Sequence, residues 1–172
     1  RHLMEKGLTL LEALLTLAVM SVAITLAIPN GIALIARERA IADANLLHGA
    51  LQQARLQAVT TGVPTSIQAI DGDWSNGWRV YIERGTNMSR SEQLIAEQSP
   101  RASRIKITQT LRNKVHFLAN GRAILVGGGF QAGTFSICEN GLNRSHDLII
   151  NRVGRVRRAT VTYNPKCVNP EL

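Results

Sequence analysis

The sequence predicts an α+β protein: a long N-terminal α-helix packed on an antiparallel β-sheet head of two layers. Three observations predict it. A 21-residue apolar run, Leu8–Ile28, leads into a stretch with apolar residues at spacings of three and four. The period then changes to strand-like alternation after Gly62-Val63-Pro64. Three Asn-Gly pairs (Asn76-Gly77, Asn120-Gly121, Asn140-Gly141) mark tight turns beyond that point. With 172 residues, 45% of them apolar and 19% charged, the chain has the material for one packed core plus an appendage.

The first half of the helix is long enough to span a bilayer, which takes about 20 apolar residues. A secretory signal has a shorter apolar region ending at a small-residue cleavage site, whereas this run continues past Pro29. Arg1 and Lys6 precede it and Arg37 and Arg39 follow, so charge leaves its orientation open. Glu12 is the single charge within it. A carboxylate there costs on the order of 2.5–3.5 kcal/mol on insertion scales. Either the acid reaches the headgroups from near the helix end, or another chain supplies a partner charge. A new α-amino group at Leu8 is such a charge, were the preceding residues removed. Pro29, followed by Gly31, predicts a kink or locally melted turn. Residues 37–61 read as an amphipathic half, with Ile41, Ala44, Leu47, Leu51, Ala54 and Ala58 inward and Arg39, Asp43, Gln52, Gln53 and Gln57 elsewhere. From Leu8 to Thr61 the helix would measure roughly 80 Å.

Residues 62–172 form the head. Its strand-like runs are Thr65–Ile70, Trp78–Glu83, Gln93–Ala96, Arg104–Thr108, Val115–Leu118, Ala123–Val126, Thr134–Cys138, Leu148–Asn151 and Val156–Tyr163. Residues 85–104 are polar and read as a loop with at most one edge strand. Trp74 and Trp78 flank a turn and read as core anchors rather than a ligand cage, and Asp71 and Asp73 as turn formers rather than paired acids. Cys138 and Cys167 argue for one disulfide outside the cytoplasm; two buried thiols are the alternative.

Charge is concentrated at the tail. Residues 1–100 hold 8 Lys/Arg against 9 Asp/Glu, whereas residues 101–172 hold 12 against 3, within a net charge of +8. This points to a polyanionic partner or surface, with plain solubility as the alternative explanation. Arg144 and Arg152 lead into Gly154-Arg155-Val156-Arg157-Arg158. On an extended chain Arg155 and Arg157 project to one side, about 6.6–7 Å apart, near the phosphate spacing along a DNA strand. Gly154 removes a side chain where backbone could approach a polyanion. Arg158 joins the patch only if the segment twists or loops. The competing reading is a solvated edge strand whose cations discourage aggregation. Seven aromatic residues are too few for a broad base-stacking platform.

Catalytic signatures are missing: no G-x-S-x-G, H-E-x-x-H or P-loop occurs, and Gly127-Gly128-Gly129 reads as a flexible connection. The four histidines lack ligand spacing and no C-x-x-C is present, so neither a metal nor a cofactor is expected. No enzyme is indicated.

Lys6-Gly7-Leu8-Thr9-Leu10-Leu11-Glu12 resembles the processing motif of type IV pilins and type II secretion pseudopilins. The resemblance implies a leader over residues 1–7, cleavage by prepilin peptidase after Gly7, methylation of Leu8, and Glu12 as the assembly acid of the mature fifth position. It makes residues 8–36 the membrane and filament helix. Asp73-Trp74-Ser75-Asn76-Gly77-Trp78, Val115-His116-Phe117 before Asn120-Gly121, and Phe135-Ser136-Ile137-Cys138 before Asp147–Asn151 resemble the GspH/FimT branch. In FimT-like minor pilins a C-terminal G-R-x-R motif is associated with DNA binding during natural transformation. Gly154, Arg155 and Arg157 fit it. The resemblance therefore implies a single-pass inner-membrane precursor with a periplasmic head, later in a pilus or pseudopilus beside other pilins. Its expected function is sequence-independent DNA capture. The alternatives are a priming or tip minor pilin, whose arginines pair acidic neighbours, and a GspH-like pseudopilin of type II secretion.

Overall fold

The computed structural model describes residues 9–84, 91–99, 103–125 and 127–168, the side chains of residues 26–30 and 91 excepted. The chain divides into two compact units, Arg1–Ile35 and Ala36–Leu172. Helix α1 runs from Leu10 to Thr61. Thr9 starts it: its hydroxyl accepts the Glu12 N–H at 3.2 Å and its carbonyl the Ala13 N–H at 3.1 Å. Thr9 and Glu12 thus have the T-x-x-E spacing of a capping box, and the acid sits in the first turn, where the helix dipole favours it. Every side chain from Thr9 to Thr25 is exposed, the leucines included. Among the described residues no helix is long and apolar enough to cross a membrane. Of the apolar run expected to do so, side chains are described only over residues 9–25. Gly7 and Leu8 lie outside the described residues. The melted turn expected at Pro29 is not formed. Helix continues through both Pro29 and Gly31, because one missing N–H donor does not outweigh helix formers on either side.

The second unit is built around one core. Ala40, Ala44, Leu47, Leu51, Ala54 and Ala58 of α1 are buried in it at helical spacing. Ile41, expected inside, is half-buried, and Ala40 takes the inner place. Asp43, expected on the outer side, is buried, and its Oδ2 accepts the Ser103 N–H at 3.2 Å.

Two antiparallel sheets complete the unit. The first contains β1 (Thr65–Ala69), β2 (Trp78–Arg84), β3 (Ser91–Gln98), β5 (Lys114–Phe117) and β6 (Ala123–Ile124), in the order β3-β2-β1-β5-β6. The second contains β4 (Ile105–Ile107), β7 (Gly133–Cys138), β8 (Ser145–Ile150) and β9 (Val156–Val161), in the order β4-β7-β8-β9. Each strand falls on one of the runs read from the sequence. In β2, Trp78, Val80 and Ile82 alternate inward, as period-two patterning requires. Phe117, Phe135, Ile137 and Leu148 close the core from both sheets. Both tryptophans are core anchors. Trp74 packs edge-on against Phe135 at 4.7 Å and donates its indole N–H to the Arg112 carbonyl at 2.8 Å. Asp73 forms the expected turn, accepting the Ser75 N–H at 2.8 Å. The polar segment supplies β3, an edge strand longer than its apolar centre suggested.

A short helix α2 (Pro165–Val168) follows β9 and carries Cys167, which is bonded to Cys138 at the end of β7. Closing 29 residues between them, the bridge contributes about 3–4 kcal/mol in the chain-entropy picture.

Candidate nucleic-acid interface

The connection from β8 to β9, Asn151–Arg155, is organised by one asparagine. The Asn151 Oδ1 accepts the N–H groups of Val153 (3.1 Å) and Arg155 (2.9 Å). Its carbonyl accepts the Gly154 N–H at 2.9 Å, and its own N–H donates to the Arg155 carbonyl at 3.1 Å. With its backbone satisfied from within, this short loop leaves Arg152, Val153 and Arg155 exposed.

Gly154 has another role than the one expected. It is buried at a φ of +77°, and a Cβ there would lie 2.1 Å from the Gly121 carbonyl oxygen and 3.1 Å from the Ala123 nitrogen. Its missing side chain seats the loop on the Asn120–Arg122 turn between β5 and β6 and does not face a polyanion. The same Gly121 carbonyl accepts the Arg55 Nε–H from α1 at 2.9 Å. Helix and both sheets therefore meet at this seam, where β6 and β9 are the terminal strands of their sheets.

The register of β9 sorts the remaining arginines. Val156 opposite Ile150 and Arg158 opposite Leu148 belong to the core-facing side, while Arg157, opposite Ile149, belongs to the outer side. The strand is regular, so the twist needed to bring Arg158 beside Arg157 does not occur. Instead the Arg158 guanidinium hydrogen-bonds the Asn45 side chain on α1. Nearby, burial pushes the His48 imidazole pKa down and the Arg158 charge adds to it, against a hydrogen bond with the Val156 backbone. Arg155 stands in the loop one residue before β9, and Arg157 within the strand. Among the described residues, no hydrogen bond or ion pair engages the side chain of Arg152, Arg155 or Arg157.

The family profile described as "Type II transport protein GspH" matches residues 43–154, about two thirds of the chain. The chain belongs to this family. Two crystal structures of the type IV minor pilin FimU of Pseudomonas aeruginosa strain PAO1 align with TM-scores of 0.56 and 0.58, at 27% and 26% identity. They cover 73% and 76% of this chain and 98% and 96% of their own. The minor pseudopilin EpsH of the Vibrio cholerae type 2 secretion system aligns with a TM-score of 0.53 at 11% identity, over 71% of this chain and 97% of its own, a likeness of fold alone. No curated protein matches the sequence. The expected membership among minor pilins and pseudopilins of the GspH branch is borne out, as is the α+β architecture.

This GspH-family head also holds groups that sequence reasoning missed. On the outer face of the first sheet, Glu83 of β2 accepts from His116 Nδ1 (3.0 Å) and Lys114 Nζ (3.1 Å) of β5, reaching across β1. Lys114 also pairs Glu92 of β3 at 2.8 Å. Burial pushes the Glu83 carboxyl pKa up, but His116 and Lys114 outweigh it and hold the group at about 2. Arg122 was missed as well: its guanidinium lies over the Phe130 ring, 4.6 Å from the centroid. Only its place after an Asn-Gly turn signals it in the sequence. Among the described residues no group of three or more His, Cys, Asp or Glu side chains is placed to hold a metal ion.

Proposed function

We propose that the chain is a minor type IV pilin whose head holds DNA outside the cell without regard to sequence. The supporting observation is the trio Arg152, Arg155 and Arg157: exposed guanidinium groups at a sheet edge, free of carboxylate partners among the described residues. Guanidinium groups bind phosphate oxygens with paired hydrogen bonds, and phosphate contacts carry no base information. Natural transformation is the setting proposed for this capture. The FimU structures, of a type IV minor pilin, support the pilus over other filaments. Before assembly, the apolar part of α1 anchors the precursor in the inner membrane with the head in the periplasm. Prepilin peptidase cuts after Gly7, Leu8 is methylated, and Glu12 meets the new amino terminus of a neighbouring pilin during assembly.

The deciding experiment measures DNA affinity of the full chain in neutral detergent, with Arg155→Ala plus Arg157→Ala as the variant. A loss of tenfold or more, equal on unrelated sequences, is expected; unchanged affinity overturns the assignment. In cells, the same double variant should abolish transformation and leave twitching intact.

The family profile's own description favours a second reading, a pseudopilin of type II secretion. That reading, like a priming or tip role in a pilus, predicts capture of sibling pilins and no DNA mobility shift.

A further inference from the structure

Phosphate contacts treat single and double strands alike except through charge density, so any preference between them needs a group that meets a base. The seam holds one. The two atoms that a Cβ on Gly154 would strike, the Gly121 oxygen and the Ala123 nitrogen, flank Arg122 in the chain. Arg122 is therefore backed directly against the loop that carries Arg152 and Arg155. Its side chain is exposed and lies over Phe130, which is 47% exposed although it makes a bridge to Ile124. Phe117 and Phe135, the other two phenylalanines, are fully buried. Phe130 follows the Gly127–Gly129 turn, which holds the ring at the sheet's edge rather than in the core.

Resting on the DNA-binding reading above, we propose that Arg122 and Phe130 form a stacking site for one unpaired nucleobase. The site gives the arginine trio a preference for single-stranded or frayed DNA over closed duplex. A guanidinium laid on an aromatic ring presents a flat cationic surface. An unpaired base stacks on such a plane while its phosphates reach Arg155 and Arg152. In a closed duplex both base faces are occupied by neighbouring pairs, and the surface goes unfilled. One stacked base is consistent with a chain too poor in aromatics for a longer platform.

The test compares three probes by fluorescence anisotropy, using the full chain in neutral detergent. They are a 20-nucleotide oligothymidylate, a 20-base-pair duplex, and an abasic strand of the same length with phosphates alone. Phe130→Ala is expected to weaken the oligothymidylate about 5- to 30-fold, within the range alanine substitution gives for one stacked base. It should leave the duplex and the abasic strand unchanged. Phe130→Leu, which keeps an apolar group at the bridge, should match Phe130→Ala, and Phe130→Trp should bind at least as tightly as the parent. Equal oligothymidylate affinity for the parent and Phe130→Leu overturns the stacking site. Arg155→Ala plus Arg157→Ala must weaken all three probes; if it weakens none, the phosphate reading itself has failed, whatever Phe130 does.

Discussion

Single atoms decide the shape of the proposed interface, and Gly154 shows how. At a φ of +77° any side chain pays the left-handed penalty of about 1–2 kcal/mol, and here a Cβ would also stand 2.1 Å from the Gly121 oxygen. Gly154→Ala should therefore destabilise the protein by about 2–4 kcal/mol in urea unfolding. Gly128 provides the control: its φ is +83°, but nothing lies within 4 Å of its Cβ direction, so Gly128→Ala should lose only about 1 kcal/mol. Equal losses would show that the seam is not closed on glycine. At this scale the sequence was legible only in part. It marked Gly154, Arg155 and Arg157 as a group, because basic residues around a glycine are visible in one dimension. It did not reveal that Gly154 serves packing, or that Arg158 bonds to Asn45, since both partners lie far off in the chain. Asp43 was misplaced for the same reason: its partner is the backbone of Ser103, which no helical periodicity reports.

Elements were far more legible, because period and turn chemistry are local properties. Nine strand-like runs correspond to the nine strands among the described residues, and Asn120-Gly121 joins β5 to β6 as a hairpin. Contacts across strands were not legible, and the Glu83–His116–Lys114 group of the first sheet is an instance. Glu83 carries its charge in the folded state down to a pKa of about 2, below its ordinary 4.5. Its contribution is therefore complete above pH 4.5 and is lost as pH falls toward 2, because the unfolded chain takes up the proton first. Burial of His48 depresses its pKa, so the unfolded chain also binds more protons just below pH 6.5, and stability declines there too as pH falls. Urea midpoints should fall in two steps between pH 7 and pH 2. Glu83→Gln should flatten the lower step by on the order of 2 kcal/mol, and His48→Gln the upper one. A lower step that persists in Glu83→Gln would assign it to other carboxylates.

For the molecule as a whole, the question is whether DNA responds to the total charge or to one seam. The net charge is +8, and residues 101–172 hold all of the excess. A diffuse cationic surface engaging all of it would release counterions for about eight phosphates, and log K would fall against log salt with a slope near −7 on duplex. The seam makes a smaller demand: Arg152, Arg155 and Arg157 give a slope of about −2.7. Arg155→Ala plus Arg157→Ala should reduce its magnitude by about 1.8, whereas Arg158→Ala, across the strand and held by Asn45, should leave it unchanged. On a single strand the parent slope should shrink to about −2.1, because each phosphate releases fewer counterions. Stacking on the Arg122–Phe130 plane neutralises no phosphate and would appear there as a salt-independent offset in affinity. Titrations from 50 to 300 mM salt on both DNA forms separate these cases: a parent duplex slope near −7 that also shrinks by about 0.9 in Arg158→Ala would locate binding in the general field of the tail rather than at the seam.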